Sequence, residues 1–240
     1  MPAGNQAPQI RLDSVLLTLG DTQLRFDCSF AAGTITAISG PSGSGKSTLL
    51  NLIAGFETPD AGKVLFDDKD LTDRHPSERP VSLVFQDNNL FGHLDVFTNI
   101  GLGINPSLKL TEQDREAVSR SLAEVGLTGM ERRMPASLSG GERQRVAFAR
   151  ALVRERPVLL MDEPFAALDP GLRFSMASML LRLHEQTKAT ILIVTHDPDE
   201  LKRLATNVVF IDEGEVIVQA TTEEFLTRCG VPAISQFLSG

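Results

Sequence analysis

"GPSGSGKS", Gly40–Ser47, stands between the β-branched run "TITAIS" (Thr34–Ser39) and the apolar stretch "TLLNLIAG" (Thr48–Gly55). The eight residues fit G-x-x-x-x-G-K-[ST], a loop that cradles phosphates when a strand precedes it and a helix follows. Both flanks meet that condition, with the helix ending near Gly55. The glycines let backbone N–H groups turn toward phosphate oxygens, and the helix start adds its positive dipole end. Gly40, Pro41, Ser42, Gly43, Ser44, Gly45, Lys46, Ser47 and Thr48 are therefore candidate phosphate-binding residues. Lys46 brings a point charge to the β- and γ-phosphates, and the Ser47 hydroxyl can ligate Mg²⁺. The loop by itself specifies a nucleoside triphosphate and nothing narrower.

Outward from the loop, "IRLDSVLLTLG" and "QLRFDCSF" alternate as antiparallel strands do. Downstream, "VSLVFQ", "VLLMD" and "TILIVTH" read as strands, and "GGERQRVAFARALVRER", ended by Pro157, reads as a helix. Strands alternating with helices imply a mostly parallel sheet covered on both faces. The segment from Leu90 interrupts this alternation and reads as a helical insertion. Within it, Thr111 and Asp114 have capping-box spacing. The expected organisation is a tail over 1–9 and one α/β domain over 10–240, with a helical subdomain over about 90–156.

The chain has 240 residues, 42% of them hydrophobic, enough for a real core. Its net charge of −8 argues against nucleic acid as a partner. Cys28 and Cys229 lie far apart and read as reduced thiols of a cytosolic protein. The start lacks the basic-then-apolar pattern of a signal peptide, and no apolar run reaches the about 18 residues of a membrane span.

Two further stretches carry chemistry. "VLLMDEP" (Val158–Pro164) is an apolar strand ending in Asp162 and Glu163. Parallel strands deliver ligands at their carboxyl ends. Asp162 would orient Mg²⁺ or its waters, and Glu163 could take a proton from an attacking water. "LSGGERQRVAFARAL" (Leu138–Leu152) is a second anion site, with the Ser139 hydroxyl and the bare N–H groups of Gly140 and Gly141 at a helix start. One chain seldom needs two phosphate sites for one nucleotide, so the second is expected to serve a nucleotide held by another copy. His196 follows the apolar strand "ILIV", which puts it at the same sheet edge as Asp162.

In order along the chain stand "GPSGSGKS", Gln86 after a strand, "LSGGERQ", "LLMDEP", "AALD" (Ala166–Asp169) and "VTHD" (Val194–Asp197). This ordered set resembles the ATP-binding subunits of ABC transporters, from about Ile10 onward. The resemblance implies a P-loop NTPase fold of ABC ATPase type: a mixed sheet with an N-terminal antiparallel β-subdomain and a helical signature subdomain. It implies ATP and Mg²⁺ as cofactors and a homodimer with two nucleotides at the interface. Gln86 would reach Mg²⁺ and the attacking water, Glu163 would be the general base, and His196 would sit near the γ-phosphate. Asp169 would lie in the loop that crosses the dimer. Ser139, Gly140 and Gly141 would close over the partner's ATP.

Two departures stand out. Glu142 occupies a signature position where glutamine is commonest. The position where an aromatic usually stacks on adenine is Leu19, and the chain has no Trp or Tyr.

In such proteins the helical insertion faces a membrane permease. Phe91, Leu94, Val96, Phe97 and Ile100 of "LFGHLDVFTNIGLGI" are expected either to line that groove or to pack its floor. "RPVSLVFQDNNLFGHLDVFTNIGLGINPSLKL", "STLLNLIAGFETP" and "EPFAALDPGLR" are similar to the ATPase subunits of bacterial thiamine importers. That similarity implies an ATPase peripheral to the cytoplasmic face of the inner membrane, served indirectly by a periplasmic binding protein. The alternatives are import of another solute (a polyamine, a metal or an inorganic anion) or a non-transport ABC ATPase.

Overall fold

Residues 7–85, 87, 89–227 and 232–239 are described by the structure, a computed structural model. The strands are β1 (Ile10–Leu19), β2 (Thr22–Phe30), β3 (Ile35–Ser39), β4 (Ala61–Phe66), β5 (Lys69–Asp70), β6 (Val81–Val84), β7 (Val158–Asp162), β8 (Thr190–Val194), β9 (Asn207–Asp212) and β10 (Glu215–Thr221). The helices are α1 (Lys46–Ala54), α2 (Val96–Gly101), α3 (Glu112–Glu124), α4 (Gly140–Leu152), α5 (Pro170–Thr187), α6 (Pro198–Leu204), α7 (Thr222–Leu226) and α8 (Pro232–Ser239).

All ten strands join one sheet in the order β5-β4-β1-β2-β10-β9-β3-β8-β7-β6. From β9 to β6 the neighbours run parallel, while β5, β4, β1 and β2 pair antiparallel. The parallel strands are buried almost throughout, as strands covered on both faces must be. Alternation survives in β2, which buries Leu24, Phe26 and Cys28 on one side. Burial, and then the neighbouring Asp27 charge, push the Cys28 thiol up to about 12, so it stays protonated and inert at neutral pH. Cys229 lies outside the described residues.

The sheet divides the core into two apolar clusters. One packs α1 beneath the antiparallel strands and includes Phe26, Leu49, Ile53 and Leu160. The other packs α2, α3 and α4 against the parallel strands and includes Val96, Ile100, Val118, Phe148 and Met161. Between β6 and β7 the described residues form no strand. No helix of the described residues is long and apolar enough to cross a membrane.

Two expected boundaries shift. The signature helix stops at Leu152 rather than running to Arg156. Glu155 takes a left-handed conformation with φ of 49°, and Pro157 disfavours helix at Arg156. Strand β6 ends at Val84, and Gln86 lies outside the described residues.

A long-range contact holds α1. The buried Arg79 donates from Nη1 to the carbonyl oxygens of Leu52 (2.7 Å) and Ile53 (2.9 Å). A cation therefore satisfies the carbonyls at the negative end of this helix. A Cβ on Gly55, the left-handed residue ending α1, would fall 2.5 Å from Arg79 Nε, so this turn needs glycine.

Candidate nucleotide site

Strands β3, β8 and β7 are neighbours and parallel, so their carboxyl ends lie side by side. From these ends leave the phosphate loop, the His196 loop and the Asp162–Glu163 pair. That register brings together three stretches separated by most of the chain.

In the phosphate loop, Gly40 has φ of 146°, and a Cβ there would collide with the Ile211 carbonyl. Gly45 is the N-cap of α1, left-handed, with no side chain capping the helix start. The first N–H groups of α1 thus keep their donors for a ligand. Lys46 is buried and lies back along the loop. Its Nζ donates to the carbonyl oxygens of Gly40 (2.9 Å) and Pro41 (2.6 Å), two of the three bonds an ammonium can make. Burial lowers its pKa, opposed by the attraction of Glu163 and Asp162. Pro41, Ser42, Gly43 and Ser47 are exposed at the rim, Thr48 is half-buried, and Ser44 is buried with no partner for its hydroxyl among the described residues.

Asp162 ends β7 close to this loop. Burial raises its pKa and the charge of Glu163 adds to that, while a hydrogen bond from Ser47 and the Lys46 charge pull the other way. Its Oδ1 is buried without a hydrogen-bond partner among the described residues. A buried, unsatisfied carboxylate oxygen beside a hydroxyl is a donor set that suits a hard cation. The described residues hold no group of three or more His, Cys, Asp or Glu able to cage a metal. A cation here would take its remaining ligands from phosphate or water.

Glu163 adopts φ of 46°, an uncommon conformation for a residue with a Cβ. Its N–H donates to the Val194 carbonyl (3.2 Å) and its own carbonyl accepts from Gln144 Nε2 (3.2 Å). The turned backbone sends the carboxylate toward the neighbouring strand, with Oε1 3.5 Å from His196 Nδ1. His196 is exposed and Glu163 is half-buried.

Sequence reasoning missed the residues that hold this arrangement. Arg173 on α5 donates from Nη1 to Asp197 Oδ2 (2.9 Å), places Nε 3.5 Å from Glu200 Oε1, and reaches the Leu168 carbonyl (3.4 Å). Thr195 Oγ1 donates to Glu200 Oε2 (2.7 Å), and Ser39 Oγ donates to the Thr195 carbonyl (2.9 Å). One guanidinium thus ties the residue before Asp169 to the residue after His196. The only signal for it in the sequence was an arginine one turn past Asp169.

The second anion site is built differently. Ser139 is the exposed N-cap of α4, in a reciprocal capping box with Glu142. Ser139 Oγ accepts from Glu142 N (3.2 Å), and Glu142 Oε2 accepts from Ser139 N (2.7 Å). The unusual Glu142 therefore has a structural use, and these bonds from Ser139 lower its pKa. The Ser139 side chain also contributes a hydrogen bond to the Glu142 carboxylate, so its hydroxyl proton is engaged within the capping box. A Cβ on Gly141 would approach Leu168 to 3.1 Å, so the signature backbone packs against the loop of Asp169. Asp169 is exposed and caps α5 through Leu172 N (3.0 Å). Among the described residues, no hydrogen bond or ion pair joins Ser139, Gly140 or Gly141 to residues 40–48 of the same chain.

Leu19 ends β1 and is 42% exposed. In the apolar stretch after Gln86, Val96 and Ile100 are fully buried floor residues, and Leu94 and Phe97 are half-buried. Of the two expected roles, floor packing is taken by the buried pair, and Phe91 alone of the five is exposed, with its ring edge-on to His93. The buried Asn99 enforces this division. Its Oδ1 accepts from Phe91 N (2.8 Å) and its Nδ2 donates to the Leu94 (2.9 Å) and Asp95 (3.0 Å) carbonyls. Folding the loop around Asn99 turns Val96 and Ile100 inward.

Comparison with known proteins gives the family. The family model described as ABC transporter matches residues 24–166. The chain is 54% identical to a thiamine import ATP-binding protein (ThiQ) of Mesorhizobium japonicum, covering 95% of this chain and 90% of the relative. It is 51% identical to the protein of that name from Rhizobium meliloti, covering 95% and 96%. Among solved structures, a dimeric post-hydrolysis state of the ATP-binding cassette MJ0796 bound to ADP and Pi matches with a TM-score of 0.81 and 29% identity, covering 89% of this chain and 98% of that one. A nucleotide-free ATP-binding cassette from an ABC transporter matches with a TM-score of 0.86 and 28% identity, covering 97% and 99%. With the phosphate loop, the carboxylate pair and the second anion site all on the fold these relatives share, the chain belongs to the ABC transporter family.

Proposed function

We propose that this chain is the ATP-hydrolysing subunit of a bacterial importer for thiamine and its phosphates. The observation that carries the enzymatic reading is the convergence of Glu163 and His196 beside the buried Lys46 and Asp162. The cargo rests on similarity to thiamine import relatives over nearly the whole chain.

The residues divide the work. Backbone N–H groups of Gly43, Ser44 and Gly45 and the open start of α1 bind the β- and γ-phosphates, and Lys46 neutralises them. Ser47 and Asp162 would hold Mg²⁺, which screens phosphate charge when bound. Glu163 orients the attacking water and takes its proton, and His196, held by the Arg173–Asp197–Glu200 group, stands beside it on the γ-phosphate side. Gln86, by resemblance to the family, would serve the attacking water and Mg²⁺. Ser139, Gly140 and Gly141 serve the nucleotide of a second copy. The exposure of Ser139, and the lack among the described residues of bonds from all three to this chain's own phosphate loop, support that reading. ATP binding to both half-sites then favours the closed pair by mass action.

The helical segment over about 90–156 would face an integral membrane permease, with exposed Phe91 and with exposed Phe56, whose ring meets Phe85 edge to face. A periplasmic binding protein would deliver cargo to that permease. The ATPase itself would be peripheral on the cytoplasmic face of the inner membrane.

The test is transport into vesicles reconstituted with the cognate permease and binding protein. ATP-driven uptake of labelled thiamine is expected from the native chain, and about a thousandfold slower uptake from Glu163→Gln, which keeps ATP affinity. Uptake of a polyamine but not of thiamine would reassign the cargo. Equal turnover by Glu163→Gln would remove the general base.

A further inference from the structure

The amino ends of the parallel strands, opposite the nucleotide site, border a crevice of about 970 Å³. Small-molecule sites occupy about 300–1,000 Å³. Its floor is the sheet itself, with Ser82 of β6 and Leu159 of β7 side by side in register. One wall is the C-terminal end of α5 with Leu183, and the other is made by α3 and the turn after α4. The crevice therefore lies between the helical insertion and the sheet.

Two observations point to a ligand. Ser82 is 2% exposed, lines the crevice, and its Oγ has no hydrogen-bond partner among the described residues. Buried hydroxyls are seldom left unpaired, because desolvation without a hydrogen bond is costly. The second is the charge at the mouth. Arg154, Arg156 and Lys188 line it, and among the described residues Arg154 and Arg156 make no hydrogen bond or ion pair. Burial lowers the pKa of Arg154, and the like charge of Arg156 adds to that. Glu124 and Glu155 also line the crevice without pairing to these arginines, and Arg120 is engaged with Glu116 (3.8 Å). In a chain of net charge −8, unneutralised guanidinium groups over an apolar floor form a local exception. Two forks of this kind match a carboxylate or phosphate.

We propose that this crevice binds a small soluble organic anion, an apolar body carrying a phosphate or carboxylate. Arg154, Arg156 and Lys188 take the charged group, Leu159 and Leu183 pack the body, and Ser82 supplies a hydrogen bond at the floor. Such a ligand bridges the helical insertion and the sheet at the end of α4 remote from Ser139.

The test is calorimetric titration of the full chain with 2-naphthyl phosphate, with the nucleotide site saturated by Mg-ADP. One equivalent is expected to bind. The double substitution Arg154→Gln with Arg156→Gln should weaken it about tenfold or more, and 2-naphthol and inorganic phosphate should each bind about tenfold more weakly than the aryl phosphate. Ser82→Leu, which fills the floor, should abolish binding. If that variant fails to fold, the surface double variant decides alone. Undiminished affinity in the double variant, or no binding to the ADP-saturated protein, would overturn the site. Phosphatidylglycerol vesicles that bind with the same dependence on both arginines, where the aryl phosphate does not, would assign the crevice to a lipid headgroup and overturn the soluble ligand.

Discussion

The chain has two candidate phosphate-binding helix starts, and they are built in opposite ways. Helix α1 begins at a left-handed glycine with no side-chain cap, and its Lys46 is buried and bonded to the loop's own carbonyls. Helix α4 begins at an exposed serine locked in a capping box. The first is a site organised by its own chain, since the carbonyl of Ile211, the packing of Leu24 and Phe26 near Gly45, and Asp162 all shape it. The second is rigid but open, with an exposed capping serine and two glycine N–H groups that, among the described residues, make no hydrogen bond to the phosphate loop of the same chain. A preorganised surface donor set of this kind reaches full value only when a second body excludes water around it.

Substitutions at the two starts break this comparison most directly. Lys46→Ala should weaken nucleotide binding by the isolated chain about a hundredfold, measured by equilibrium titration, because a buried charge-assisted contact is lost. Ser139→Phe should leave that binding within about twofold yet lower ATP turnover about fiftyfold by blocking closure over the partner's nucleotide. A Ser139→Phe chain that loses nucleotide affinity as monomer would place both starts in one site and end the distinction.

A smaller effect is expected at the tie between the Asp169 and His196 loops. Arg173→Met should lower kcat about tenfold with KM unchanged, and Arg173→Lys should recover part of it. A melting temperature that falls while kcat holds would make the tie merely structural. Smallest is the adenine end, where Leu19 offers dispersion contact but no aromatic face. Leu19→Tyr should tighten ATP binding to the monomer about fivefold, within the range of base stacking. No gain by direct titration would mean that the base is held elsewhere.

Much of the candidate nucleotide site was legible in the sequence. The phosphate loop, Asp162–Glu163 and Ser139–Gly141 are each contiguous, because each needs a particular backbone path over a few residues. A glycine that must avoid the Ile211 carbonyl and a serine three residues before a glutamate are local requirements, and local requirements leave local patterns. His196 was placed from its strand alone, since the strand pattern implied a shared sheet edge.

What only the tertiary structure decided were contacts between residues far apart in the chain. The Arg79 cap on α1, the Gln144 bond to the Glu163 carbonyl, the Arg173 tie and the crevice above Ser82 each join elements whose adjacency follows from strand order. The burial of Val96 and Ile100 beside exposed Phe91 belongs here too. All are apolar in one run, and the hydrogen bonds of Asn99 determine which of them face the core. Hydrophobicity sets how strongly a side chain is driven from water, but the path of the backbone decides which side chains are placed to respond.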